Sequence, residues 1–66
     1  MSISTYPEVV RLAVNVIGDR QKALDWLDTP HPELEHQRPL ECMRTAQGRI
    51  RVALLLRRMR FEKPAS

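Results

Sequence analysis

Sixty-six residues make one small domain at most. At that size a fold buries only about 60% of the surface its unfolded chain exposes, which leaves no room for a large catalytic cleft and the scaffold to hold it rigid. With 42% hydrophobic residues and a net charge of +3 the chain is too apolar for a disordered tail. The charge is uneven: residues 1–43 hold four basic and seven acidic side chains, and residues 44–66 hold seven basic ones against the single Glu62. Clustered arginine of that kind attracts phosphate, nucleic acid or an acidic protein surface.

In chain order, Ser4 or Thr5 followed by Pro7 and Glu8 predicts a helix start. Val9, Leu12, Ala13, Val16 and Ile17 continue it at helical spacing, and Gly18 supplies a left-handed C-terminal cap. Asp19 is the natural N-cap of a second helix from Arg20 to about Asp28, with Ala23, Leu24, Trp26 and Leu27 as its apolar face and Pro30 as its stop. A turn-rich connector from Thr29 to Arg38 has Leu34 as its apolar anchor. Pro39 opens a short helix through Met43, and Thr45 caps a longer one from about Ala46 to Phe61. No stretch alternates apolar and polar residues as a strand would, and no dipeptide signals a hairpin. The expected fold is all-α: a small bundle of about four helices forming a single domain.

Cys42, the one cysteine, excludes an internal disulfide and any multi-cysteine metal site. No signal peptide opens the chain, and the longest apolar run, Val52 to Leu56, is far too short for a membrane span. A cytoplasmic setting is the expectation. His31 and His36, with Glu33 and Glu35 between them, match no zinc-ligand spacing and read as surface residues. Cys42 beside Leu40 and Met43 reads as a small buried apolar residue rather than a nucleophile. Gly18 and Gly48 stand too far apart to form a phosphate loop. No enzyme, metal or cofactor is expected.

Two features of the last helix remain. Arg49, Arg57 and Arg60 point broadly one way and Arg51 and Arg58 another, a two-sided basic helix that could track a phosphate backbone. After Gln47, however, it carries no Asn, Gln, Ser or Thr to read base edges. Five consecutive apolar residues, Val52 to Leu56, make it apolar nearly all round, which implies burial on two sides: by the domain's own core and by a homodimer or a partner protein.

An ordered series of residues carries a resemblance. Gly18-Asp19 with Ala23, then Trp26-Leu27-Asp28-Thr29-Pro30, Leu34, Arg38-Pro39-Leu40, Thr45, Gly48, Val52 and Leu55 to Met59 resembles the C-terminal toxin-binding domain of the Xre/MbcA/ParS antitoxin family over about residues 16–61. The same residues have plain structural uses. Gly18, Asp19, Pro30, Pro39 and Gly48 serve as caps, stops and close-approach positions, and Ala23, Trp26, Leu27 and Val52 as core. The resemblance implies a small inhibitor that neutralises a RES-type toxin, one that consumes or transfers NAD, by covering its NAD pocket. It further implies that the helix from Gly48 to Phe61 and the tail Glu62–Ser66, whose residues 63–66 lie outside those the structure describes, face the toxin, with Arg57, Arg58, Arg60 and Phe61 as contacts.

The sequence departs from the family pattern at three points. His36 stands where the family has a glycine, which implies a turn built differently there or a relaxed position. Glu62 and Lys63 stand where another glycine is usual. The family's helix-turn-helix has no counterpart in the fifteen residues before Val16, as in an excised domain or a free-standing binding module. A module redirected to another host protein and a basic nucleic-acid-binding accessory protein are the alternative readings.

Overall fold

The computed structural model describes residues 5–62, with side chains through Arg60. Among these residues four α-helices follow one another, α1 Tyr6–Ile17, α2 Arg20–Leu27, α3 Pro39–Cys42 and α4 Ala46–Glu62, with one 3₁₀ turn at Pro32–Leu34. No strand occurs among the described residues; the one β-type contact is an isolated antiparallel bridge between His31 and Gln37. The fold is all-α, as the spacing predicts.

The helix ends follow from local chemistry. Thr5 and Glu8 form a reciprocal capping box: the Glu8 N–H donates to Thr5 Oγ1 at 3.4 Å and the Thr5 N–H to Glu8 Oε1 at 3.2 Å. Gly18 closes α1 in the left-handed region, φ 86°, its N–H donating to the Val14 carbonyl. One residue later Asp19 Oδ1 accepts from the Lys22 N–H at 3.0 Å and starts α2. Thr45 Oγ1 accepts from the Gly48 N–H at 3.0 Å in the first turn of α4.

α4 is the spine. α1 packs against both α2 and α4, and α3 packs against α4. The core runs between them through Val9, Ala13, Leu27, Met43, Val52 and Leu56, and Leu34 plugs it from the connector at 2% exposure. Gly48 is required where α4 crosses the end of α3, because a β-carbon there would overlap the Cys42 carbonyl.

Two expectations change. Leu24, expected on the apolar face of α2, is 44% exposed, whereas Trp26 is half-buried and packs against the core from its edge. Ala23 and Leu27, four apart, set the buried line of that short helix, and the 100° step per residue turns positions 24 and 26 to its flanks. The second change is at His36. Leu34 O accepts from the Gln37 N–H at 3.0 Å across Glu35 and His36, whose φ values are 58° and 63°. His36 therefore occupies the left-handed backbone that a glycine adopts without strain, and the turn is tight without one.

Candidate functional site

The helix repeat divides α4 into two faces. Gly48, Val52, Ala53 and Leu56 are buried, and Leu55 and Met59 flank them half-buried. On the opposite line stand Ile50 and Leu54, one turn apart, 45% and 57% exposed. A helix packed on one side carries polar residues on its outermost line. Here that line has two branched aliphatics, with Arg51, Arg57 and Arg58 around them.

The arginines do not form one cluster. Arg51 and Arg58, seven apart, line a hollow of about 250 Å³ with Glu33, Leu34, Leu54 and Leu55, between α4 and the connector. Arg57 lies on the other flank, in a groove of about 400 Å³ between α1 and α4 that it shares with Glu8, Arg11, Leu12, Asn15 and Ala53. Arg49 turns back along the helix, its Nη1 donating to the Met43 carbonyl at 3.0 Å. Arg60 is exposed in the last described turn. Phe61 belongs to α4, but its side chain lies outside the described residues. Of the candidate contacts, then, Arg58 stands on one side of the exposed ridge and Arg57 on the other.

The chemistry-bearing residues of the connector are turned to structural use. His31 is half-buried, not a surface residue: its ring stacks on Trp26 at 4.6 Å between centroids, and Nε2 lies 2.9 Å from the Trp26 carbonyl. Cys42 is half-buried, its thiol donating to Gln37 Oε1 at 3.5 Å. His36, Glu33 and Glu35 are exposed, and among the described residues no three His, Cys, Asp or Glu side chains gather as metal ligands. Arg38 ties the end of α2 to α3, donating to Asp28 Oδ1 at 3.0 Å and to Glu41 Oε2 at 2.8 Å. The hydrogen bond from Arg38 first, and its charge second, hold the Glu41 carboxyl below the usual carboxylate range. The Glu41 hydrogen bond is likewise the leading cause of the raised Arg38 pKa.

The motif residues Gly18 and Asp19 sit at caps, and Ala23, Leu27, Pro39, Gly48 and Val52 are buried. Pro30 lies just beyond the end of α2. The exposed pair Ile50 and Leu54 was visible in the sequence only as part of an over-wide stripe. The facing of Arg11 on α1 to Arg57 on α4 carries no sequence signal, since the two are brought together by helix packing alone.

Among known families, the antitoxin Xre/MbcA/ParS C-terminal toxin-binding domain matches residues 12–61. A similar curated protein is the 6-hydroxy-3-succinoylpyridine 3-monooxygenase HspA of Pseudomonas putida, 40% identical over 45 residues. That alignment covers 68% of this chain and 14% of the monooxygenase, so it is a likeness to a segment of a much longer protein. No solved structure matches.

Proposed function

Because the chain belongs to the family of antitoxin Xre/MbcA/ParS C-terminal toxin-binding domains, we propose that it is a non-catalytic inhibitor that lays the outward ridge of α4 across the NAD pocket of a RES-type toxin. The observation that carries this reading is the exposed pair Ile50 and Leu54 on the outermost line of α4, bordered by arginines. Apolar side chains in that position gain free energy only when something covers them. A helix with its side chains is about 10–12 Å across and fills a dinucleotide cleft without any reaction. Arg57, Arg58 and Arg60, with Phe61 in the last turn, lie at the end of the helix that would enter the pocket, where guanidinium groups suit acidic or phosphate-binding surroundings.

The role is occlusion rather than chemistry. Of the residues with base or nucleophile chemistry, His31 and Cys42 are hydrogen-bonded to Trp26 and Gln37. The segment shared with the monooxygenase is too small a part of that protein to bring its activity along. No described helix is long and apolar enough to cross a membrane, and the proposal places the chain in the cytoplasm beside its target. Nucleic acid fits less well, because Ile50 and Leu54 split the positive charge between two flanks and Arg49 is turned back to Met43.

The test is co-expression with the RES-type toxin of the same genomic neighbourhood. The unaltered chain is expected to co-purify with the toxin and preserve cellular NAD. Ile50→Asp with Leu54→Asp loses both effects while helical circular dichroism is kept. Arg58→Glu with Arg60→Glu weakens the complex without loss of helix. NAD depletion that proceeds unchanged with the unaltered chain rules out this function. Collapse of helical signal in the arginine variant reassigns those residues to structure.

A further inference from the structure

The groove between α1 and α4 is a second surface, on the opposite flank of α4 from the hollow holding Arg51 and Arg58. One wall is a single face of α1, with Glu8, Arg11, Leu12 and Asn15 at successive helical steps, and the other is Ala53 and Arg57 of α4. Val9 and Ala53 close its base at 1% and 3% exposure, so the surface the groove presents is mostly polar. Among the described residues no carboxylate pairs with Arg11 or Arg57. The one acid lining the groove, Glu8, accepts the Thr5 N–H in the capping box. Arg11 and Asn15 also border a neighbouring hollow with Val10, Val14 and Arg20, so the positive surface continues past the groove.

We propose that this groove captures an acidic segment of the protein partner, its carboxylates held between Arg11 on α1 and Arg57 on α4. The inference rests on the reading that the partner is a protein, and not on which protein it is. Charge complementarity identifies the occupant. Two exposed guanidinium groups on facing walls, neither paired with a carboxylate among the described residues, offer forked donors to the carboxylates of a partner. The Asn15 amide, both donor and acceptor, suits a peptide backbone. A nucleic-acid strand carries a phosphate about every 3.4 Å, and its path along this groove meets Glu8. Among the described residues no aromatic side chain lines the groove, so a base finds nothing there to stack on.

The experiment follows the amide resonances of the isotope-labelled full chain during titration with a synthetic peptide of alternating glutamate and leucine. The controls are the same peptide with glutamine for glutamate and a short oligothymidylate. Shifts confined to residues 8–15 and 53–57 are expected, with binding about tenfold weaker in Arg11→Glu and in Arg57→Glu and absent with the glutamine peptide. Both variants should keep the dispersed spectrum of the folded chain; Arg11→Gln and Arg57→Gln, expected to weaken binding less, replace them if either unfolds. Shifts spread over the whole chain, equal binding of the glutamine peptide, or tighter binding of the oligothymidylate overturns the proposal. Self-association of the chain that Arg11→Glu abolishes also overturns it, by giving the groove to a second copy. Ile50→Asp with Leu54→Asp keeps the peptide while losing the toxin. Failure of the groove and failure of the toxin reading are therefore told apart.

Discussion

The inward and outward faces of α4 are built from the same residue types and do opposite work. Leu56 is fully buried and Leu54, two positions earlier, is 57% exposed. Their side chains are identical, so the difference lies in what covers them: α1, α3 and Leu34 close over the inward face, and nothing in the described chain closes over the outward one. Apolar content alone does not define a core. A face of α4 contributes to folding where a neighbouring helix covers it, and is available for binding where none does.

The strongest way to break this comparison is Leu56→Ala, expected to destabilise by about 3 kcal/mol through lost burial and the cavity left behind. The midpoint of urea unfolding measures it. A loss under about 1 kcal/mol would mean that the inward face is loosely packed. Next comes Gly48→Ala, on the inward side of the first turn of α4. The new β-carbon meets the Cys42 carbonyl, a backbone atom that moves only if the end of α3 moves. A destabilisation of about 2 kcal/mol is expected, read as a fall in the thermal midpoint.

His36→Gly tests the connector that carries Leu34 to the inward face. It relieves a left-handed non-glycine residue and should stabilise by about 1 kcal/mol, a rise of about 4–8 °C in Tm for a domain of this size. No rise would show that the turn holds His36 without strain. Leu54→Ala sharpens the contrast from the other side. Its stability change should stay within about 0.5 kcal/mol, as for a surface position, while affinity for the partner falls.

The smallest effect is that of acid on Arg38 and Glu41. Glu41 is lowered in the fold, so its contribution is present above the ordinary glutamate value of the unfolded chain and is lost as pH falls through the lower folded value. Both partners are solvent-exposed, so removing the pair with Glu41→Gln should flatten the acid limb of the stability profile only slightly. An unchanged limb would leave the pair without a part in stability.

Much of the fold was legible because its signals are local. Thr5 with Glu8, Gly18 followed by Asp19, and Thr45 each satisfy backbone groups within a few residues, so residue type and spacing suffice to read them. The left-handed turn at Glu35 and His36 shows in the sequence only through the family's glycine at position 36, because glutamate does not advertise positive φ as glycine or asparagine does. Leu24 lies outside the core for a different reason. Its apolar type suggests burial, but in an eight-residue helix the line from Ala23 to Leu27 takes the core, turns Leu24 outward and leaves Trp26 at the core's edge, stacked on His31.

By itself the sequence determined the number and ends of the helices, the all-α class, and the concentration of arginine and apolar surface on the last helix. These follow from caps, stops and periodicity, which act over a turn or two of chain. Only the tertiary structure decided which apolar residues of α4 are core and which are ridge. It also decided that Arg57 faces Arg11 across a groove while Arg58 stands with Arg51 on the far flank. Such choices depend on which helix lands on which face, and that is settled by contacts between residues distant in the chain.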